Sequence, residues 1–177
     1  ENGPNTHSAP KAIFIAGDSA GGNLTLALIA WARDCGRRKP NGAIALSPVT
    51  DITLSGPSWR TNLKTDPFLG PGLGRLLSIP RFVRNILSHL TNGKSGNHPH
   101  LSHLLGPLNE LPPVLIQASR DEVLYDDAVR YTNKAKKAGS EVTLQVWPSM
   151  VHVFQGFDLP EADHAFALIA KFVAENS

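Results

Sequence analysis

One cysteine, one methionine and two tyrosines are all that the 177 residues hold of these types, and no single charge sign dominates. A lone Cys35 excludes an intramolecular disulfide and any multi-cysteine metal site. Set in an apolar stretch, that thiol reads as packing, and with no sign of an oxidising compartment a cytoplasmic location is expected. Seventeen basic against fifteen acidic residues give a formal charge of +2, and the only basic run, Arg37-Arg38-Lys39, closes a helical pattern. Nothing there supplies the footprint that nucleic acid or an anionic membrane surface needs, so neither partner is expected. Long apolar runs are missing too. The stretch from Leu24 to Ala32 is less than half of the ~20 residues that span a bilayer, and no charged-apolar-small leader opens the chain. A chain 41% hydrophobic and 18% charged has enough apolar surface for one compact domain.

What is present alternates. Ala12 to Ala16 is a short continuous apolar run, as expected of a strand covered on both faces, and Gly17 to Gly22 is a tight turn. From Ala20, Leu24, Ala27, Leu28 and Trp31 recur at helical spacing until Gly36 stops the pattern. Ala43 to Leu46, Val114 to Ala118 and Val142 to Trp147 read as further strands, the last with the alternation of a half-exposed edge. A helix is expected from Asp126 to Ala138, ended by Gly139, with Asp126 and Asp127 as caps. Another is expected from Pro160, burying Ala162, Ala165, Phe166, Ile169, Phe172 and Val173. Strands alternating with helices imply a parallel sheet and an α/β architecture. Between residues 55 and 110 the pattern breaks. Six of the fourteen prolines fall there, with one expected helix near Arg75 to Leu90, and the segment reads as a lid or pocket wall.

Gly17-Asp18-Ser19-Ala20-Gly21 matches Gly-x-Ser-x-Gly, a nucleophile elbow, in the context it requires: an apolar strand before and a helix after. In such a turn the glycines two before and two after the serine leave room for a sharp bend, and the Ala20 N–H is available to an oxyanion. A serine hydroxyl needs a base within hydrogen-bond reach, and His152, in the loop after the last strand, is the candidate. The imidazole in turn needs a carboxylate. The loop from Ser119 to Asp127 offers Asp121 and Glu122, and spacing alone does not choose between these neighbours.

Gly17-Asp18-Ser19-Ala20-Gly21-Gly22-Asn23, Leu46-Ser47-Pro48-Val49-Thr50-Asp51, Asp66-Pro67-Phe68, Leu111-Pro112-Pro113-Val114, Asp121 to Asp127 and the His152 loop together resemble the hormone-sensitive-lipase family of esterases, the α/β-hydrolase-3 group. The likeness runs over nearly the whole chain. It implies an α/β-hydrolase fold of which this is the C-terminal half, and hydrolysis of short to medium acyl esters without metal or organic cofactor. Sliding the family's Asp-Pro-Leu-x-Asp motif onto Leu124-Tyr125-Asp126 puts the acid at Glu122, with Asp121 one residue off register. The family's His-Gly-Gly-Gly oxyanion stretch lies upstream of the elbow strand and has no counterpart here. The expectation is therefore a partial domain that lacks the N-terminal cap and first strands, is nearly inactive alone, and packs on its own N-terminal half or on a second copy. Phe68 and Phe154 are candidate acyl contacts, whereas Trp59 and Phe82 read as pocket wall or core. His98, His100 and His103 lack a companion cysteine or carboxylate pattern, so no metal is expected. Competing functions are a peptidase or amidase on the same fold, and a small-molecule receptor that has lost catalysis.

Overall fold

The computed structural model describes residues 10–78 and 96–177. In chain order it runs β1 (Phe14–Asp18), α1 (Ser19–Asp34), β2 (Gly42–Leu46), α2 (Ser58–Thr61), α3 (Gly70–Ser78), a 3-10 turn (His103–Leu105), β3 (Val114–Ser119), α4 (Tyr125–Lys137), β4 (Val142–Trp147), a second 3-10 turn (Phe154–Gly156) and α5 (Pro160–Glu175). The helix expected at Arg75 to Leu90 overlaps the end of α3; its remainder, and Phe82, lie outside the described residues.

The four strands form one sheet in the order β1-β2-β3-β4, every pairing parallel. Asp18 pairs with Leu46, Leu46 with Gln117 and Ser119 with Trp147. The segments leaving the four strands therefore emerge along one edge, where parallel α/β sheets carry their sites. Sheet position follows composition. Every residue of β3 and the first four of β2 are buried, as their unbroken apolar runs require, while β4 is mostly half-buried. β1 is also only half-buried, and among the described residues it pairs on one side alone.

One helix, α1, turns a different face to the core from the one its periodicity suggests, whereas α5 departs from its expected stripe only at Phe166. α1 buries Gly22, Thr25, Leu26, Ile29 and Ala32. Leu24, Leu28 and Trp31, from the expected stripe, remain 69%, 44% and 46% exposed. α1 is apolar nearly all round, so hydrophobic spacing cannot set its rotation. Close approach does: a Cβ on Gly22 would sit 2.9 Å from Pro48 Cβ, and one on Gly17 would lie 2.8 Å from Thr25 Oγ1. In α5, Ala162 and Ala165 are the fully buried positions, while Phe166 is 51% exposed. No described helix is long and apolar enough to cross a membrane.

Two buried carboxylates fasten the segment after β2 to α4. Asp127 accepts from Thr50 N (2.7 Å), Asp51 N (2.9 Å) and Trp59 Nε1 (2.9 Å). Asp51 accepts from Thr53, from the Ser55 hydroxyl and from Arg130. Neither Asp126 nor Asp127 caps α4, contrary to the sequence expectation: Asp126 instead accepts from Ser58 N (2.6 Å), at the start of α2. The two buried acids titrate in opposite directions. Burial raises Asp127 to about 6 against its three donors. For Asp51 burial also pushes up, but hydrogen bonds from Ser55 and Thr53, with Arg130, outweigh it and hold the carboxyl below its ordinary value.

A folded-state value for Asp127 of about 6, above the ordinary 3.8, means that its contribution to stability is full below pH ~4 and is lost as pH rises through about 6. Asp127→Asn does not titrate. The stability difference between wild type and Asp127→Asn, from denaturant melts, is therefore expected to shrink between pH 4 and pH 7; a difference that grows over this range contradicts the burial argument.

Candidate active site

The bend between β1 and α1 leaves no space for a side chain at Gly17, where a Cβ would lie 2.3 Å from the Gly21 carbonyl oxygen. Gly21 itself is different. A Cβ there would meet nothing nearer than Asp18 Oδ1 at 4.0 Å, so the second tight position is Gly22, one residue further on than the motif suggests. Ser19 opens α1 with φ 50°, a region that non-glycine residues occupy only when their surroundings impose it. Asp18 is the N-cap in extended conformation, yet its side chain caps nothing and no acid stands in the first turn. The first N–H groups of α1, with that of Ala20, thus meet no side-chain cap among the described residues.

Backward-turned residues gather along this edge. Besides Ser19, positive φ occurs at Ser47 (47°), directly after β2, and at Ser149 (59°) and Val153 (52°), in the loop after β4. For a β-branched residue such as Val153 this is a marked outlier, and such strain is held only where the surrounding contacts over-determine it. The contacts are present. Val49 N donates to the Ser19 carbonyl (3.3 Å), Asn23 Nδ2 donates to the carbonyls of Val49 (2.8 Å) and Leu101 (3.0 Å), and Val153 N donates to Ser47 Oγ (3.3 Å).

His152 Nδ1 and Glu122 Oε2 lie 2.7 Å apart, both residues buried. Glu122 Oε1 accepts from Ser119 N at 3.0 Å. Burial drives the Glu122 carboxyl upward, while His152, Ser47 and Ser119 pull the other way. Removing one donor from a buried carboxylate costs on the order of 1–3 kcal/mol, so this one depends on its donors. Asp121 plays a different part. Its Oδ2 accepts from Ser149 N at 2.7 Å, tying the loop after β3 to the loop that carries His152. The structure therefore brings Glu122 and His152 together, puts Asp121 one bond away from that pair, and leaves Ser19 Oγ without a hydrogen bond among the described residues.

Sequence reasoning missed Ser47, whose hydroxyl favours the charged form of the Glu122 carboxylate. It was visible only as part of the Leu46 to Asp51 string, since nothing in spacing says that the residue after β2 meets a side chain from the turn after β3. The two aromatic candidates separate. Phe68 is 55% exposed, its ring 5.6 Å from that of Phe157. Phe154 is fully buried, 5.3 Å from Trp147 and clustered with Ala162 and Ala165, which makes it core under α5 rather than an open pocket wall. Trp59 is likewise core, with Val123 and Leu124. In the histidine-rich loop the His98 and His100 rings stand 4.9 Å apart, and His103 is buried, its imidazole lowered to about 4 by desolvation. Among the described residues, no group of three or more His, Cys, Asp or Glu is arranged to hold a metal ion.

Comparison with known proteins agrees with this arrangement. A family described as alpha/beta hydrolase fold matches residues 1–156. An esterase of Acinetobacter venetianus is 38% identical over 165 residues, 92% of this chain and 52% of that protein. An acetyl-hydrolase of Streptomyces hygroscopicus is 34% identical, over 93% of this chain and 52% of its own length. A crystal structure of a hormone-sensitive lipase from a metagenome library superposes with a TM-score of 0.81 at 32% identity, covering 93% of this chain and 54% of that one. The chain thus spans about half the length of the curated relatives it matches. With the parallel sheet, the strained Ser19 turn and the family match in agreement, the chain belongs to the alpha/beta hydrolase fold family.

Proposed function

We propose that this chain carries the catalytic residues of a carboxylic-ester hydrolase for short to medium acyl esters, with Ser19 as nucleophile, His152 as base and Glu122 as acid. The observation that carries the assignment is the buried 2.7 Å pairing of His152 Nδ1 with Glu122 on the sheet edge where the strained Ser19 turn emerges. With Nδ1–H held by the carboxylate, Nε2 is the free basic nitrogen.

In the proposed reaction Nε2 takes the Ser19 hydroxyl proton as Oγ bonds to the ester carbonyl carbon, and the carbonyl π pair moves onto oxygen. The Ala20 N–H, at the uncapped end of α1, donates to that oxyanion. The pair returns, the carbon–alkoxy bond breaks, and the leaving alcohol takes the proton from His152. Water then repeats the cycle on the acyl-enzyme, releasing the acid and restoring Ser19. Two carboxylates stand beside this histidine, and their contacts favour one. Glu122 bonds the imidazole, whereas Asp121 bonds the backbone of Ser149. Phe68, exposed beside Phe157, is the aromatic we assign to the acyl group.

The exposed Leu24, Leu28 and Trp31, and β1, which pairs on one side alone among the described residues, mark a flank that, in our reading, further N-terminal chain covers in the whole protein. The curated relatives have length for such a segment. A cytoplasmic setting is consistent with the single unpaired Cys35.

Hydrolysis of p-nitrophenyl acetate and hexanoate by the protein as encoded in full tests the assignment. Ser19→Ala is expected to lower kcat by up to about 10⁶-fold, and Glu122→Gln by about 10⁴-fold through loss of the imidazole's partner. Asp121→Asn is expected to cost no more than about tenfold, the scale of one mispositioned loop contact. If Asp121→Asn inactivates while Glu122→Gln does not, the acid is Asp121. If Ser19→Ala leaves hydrolysis intact, the esterase reading fails and a receptor takes its place. Expressed alone, the 177 residues are expected to bind a hydrophobic dye and to self-associate through the α1–β1 flank; a dye-silent monomer contradicts the covered-flank reading.

A further inference from the structure

The turn carrying Glu122 is gripped from outside by one short stretch of the segment between β2 and β3. Asn62 Nδ2 donates to the carbonyls of Arg120 (2.9 Å) and Glu122 (2.9 Å). Thr65 Oγ1 donates to the Asp121 carbonyl (2.8 Å). Asp66 Oδ2 accepts from Val123 N (3.0 Å). Three side chains within five residues thus meet a main-chain group on each of the four consecutive residues 120 to 123. Their own frame is fixed: buried Asp66 also accepts from Phe68 N (3.0 Å) and Leu69 N (2.9 Å), and Thr65 and Asp66 are tied back to the Asn62 carbonyl. Beneath the grip, Leu63 and Leu69 pack on Trp59, Val123 and Leu124.

We propose that Asn62, Thr65 and Asp66 form a backbone clamp that positions Glu122 for its bond to His152. The proposal rests on the reading of Glu122 as the acid. Three features argue for positioning. Each of the four bonds ends on the main chain of the acid turn, and none on the sheet. Glutamate has one more side-chain torsion than aspartate, so its carboxylate reaches a fixed point only if its Cα is held as well as its oxygens. The oxygens are held from inside by Ser119 and His152, and the Cα from outside by the clamp. Finally, a catalytic constellation tolerates displacement of only about 0.5 Å, and bonds to the main chain of four successive residues restrict the turn that carries the acid. The Asp66-Pro67-Phe68 string thereby gains a physical reason: the acid at its head is an anchor, and the two N–H groups after the proline complete its grip.

The test is a double-mutant cycle on ester hydrolysis by the protein as encoded in full. Asn62→Ala is expected to lower kcat about tenfold with KM unchanged, since ester binding does not involve the clamp. In a Glu122→Gln background, assayed on an activated p-nitrophenyl ester, the same substitution is expected to cost nothing further, because the clamp acts only through that carboxylate. Thr65 is exposed, so Thr65→Val carries the same cycle should Asn62→Ala fold poorly, and Thr65→Ser, which keeps the hydroxyl, is expected to restore kcat. Equal losses in both backgrounds, a loss shared by Thr65→Ser, or a change confined to KM would overturn the clamp and leave a merely structural contact. If Glu122→Gln inactivates while Asn62→Ala and Thr65→Val are silent, the clamp alone falls. If Glu122→Gln is silent, the acid assignment falls with it.

Discussion

Everything at the candidate site hangs on one buried carboxylate. Glu122 is almost without contact to water, and each of its oxygens is claimed: one by Ser119 N, the other by His152. An unpaired charge in that position is too costly for a folded protein to carry, so the residues after β2, β3 and β4 must all be in place for it to exist. The parallel register meets that demand. Three strands ending in line deliver Ser47, Ser119 and His152 to a single point, and the fourth delivers Ser19 to the same edge.

Strain and satisfaction are paired here. Four of the backward-turned residues, Ser19, Ser47, Ser149 and Val153, lie on this edge, and each is secured by a hydrogen bond of its own or of its immediate neighbourhood. Asp121, whose neighbour faces the histidine, spends its carboxylate on Ser149 N and so stitches the acid turn to the histidine loop. Adjacent acids with such different partners explain why spacing could not separate them. The choice depends on which way each side chain leaves the turn, and that is fixed by Asn62, Thr65 and Asp66, which lie far from the turn in sequence.

Legibility varied with the physics. The strands were readable because parallel strands buried on both faces must be continuously apolar, as Val114 to Ala118 is. The elbow was readable because Gly17 and Ser19 stand at a bend that few other residues accept. Helix rotation was not, since α1 is apolar on several faces and the choice between Leu28 and Ile29 is made by the approach of Gly22 to Pro48. Phe154 stood as a candidate acyl contact because an aromatic near His152 carries no mark distinguishing core from surface; its burial against Trp147 and α5 is a tertiary fact. Asp126 and Asp127 looked like caps because acids open helices, but the segment from Thr50 to Trp59 competes for both carboxylates and takes them. Membership of the alpha/beta hydrolase fold family and likeness to esterases over about half their length support the chemistry without naming the ester.

The most direct measurement of the central claim is covalent. A fluorophosphonate reacts with a serine only when a base has made its oxygen nucleophilic, and peptide mapping then identifies the residue. A single adduct on Ser19 is expected, slowed strongly by His152→Ala and by Glu122→Gln. A protein that stays unlabelled, or is labelled at Ser19 equally fast without His152 and Glu122, contradicts the proposed triad.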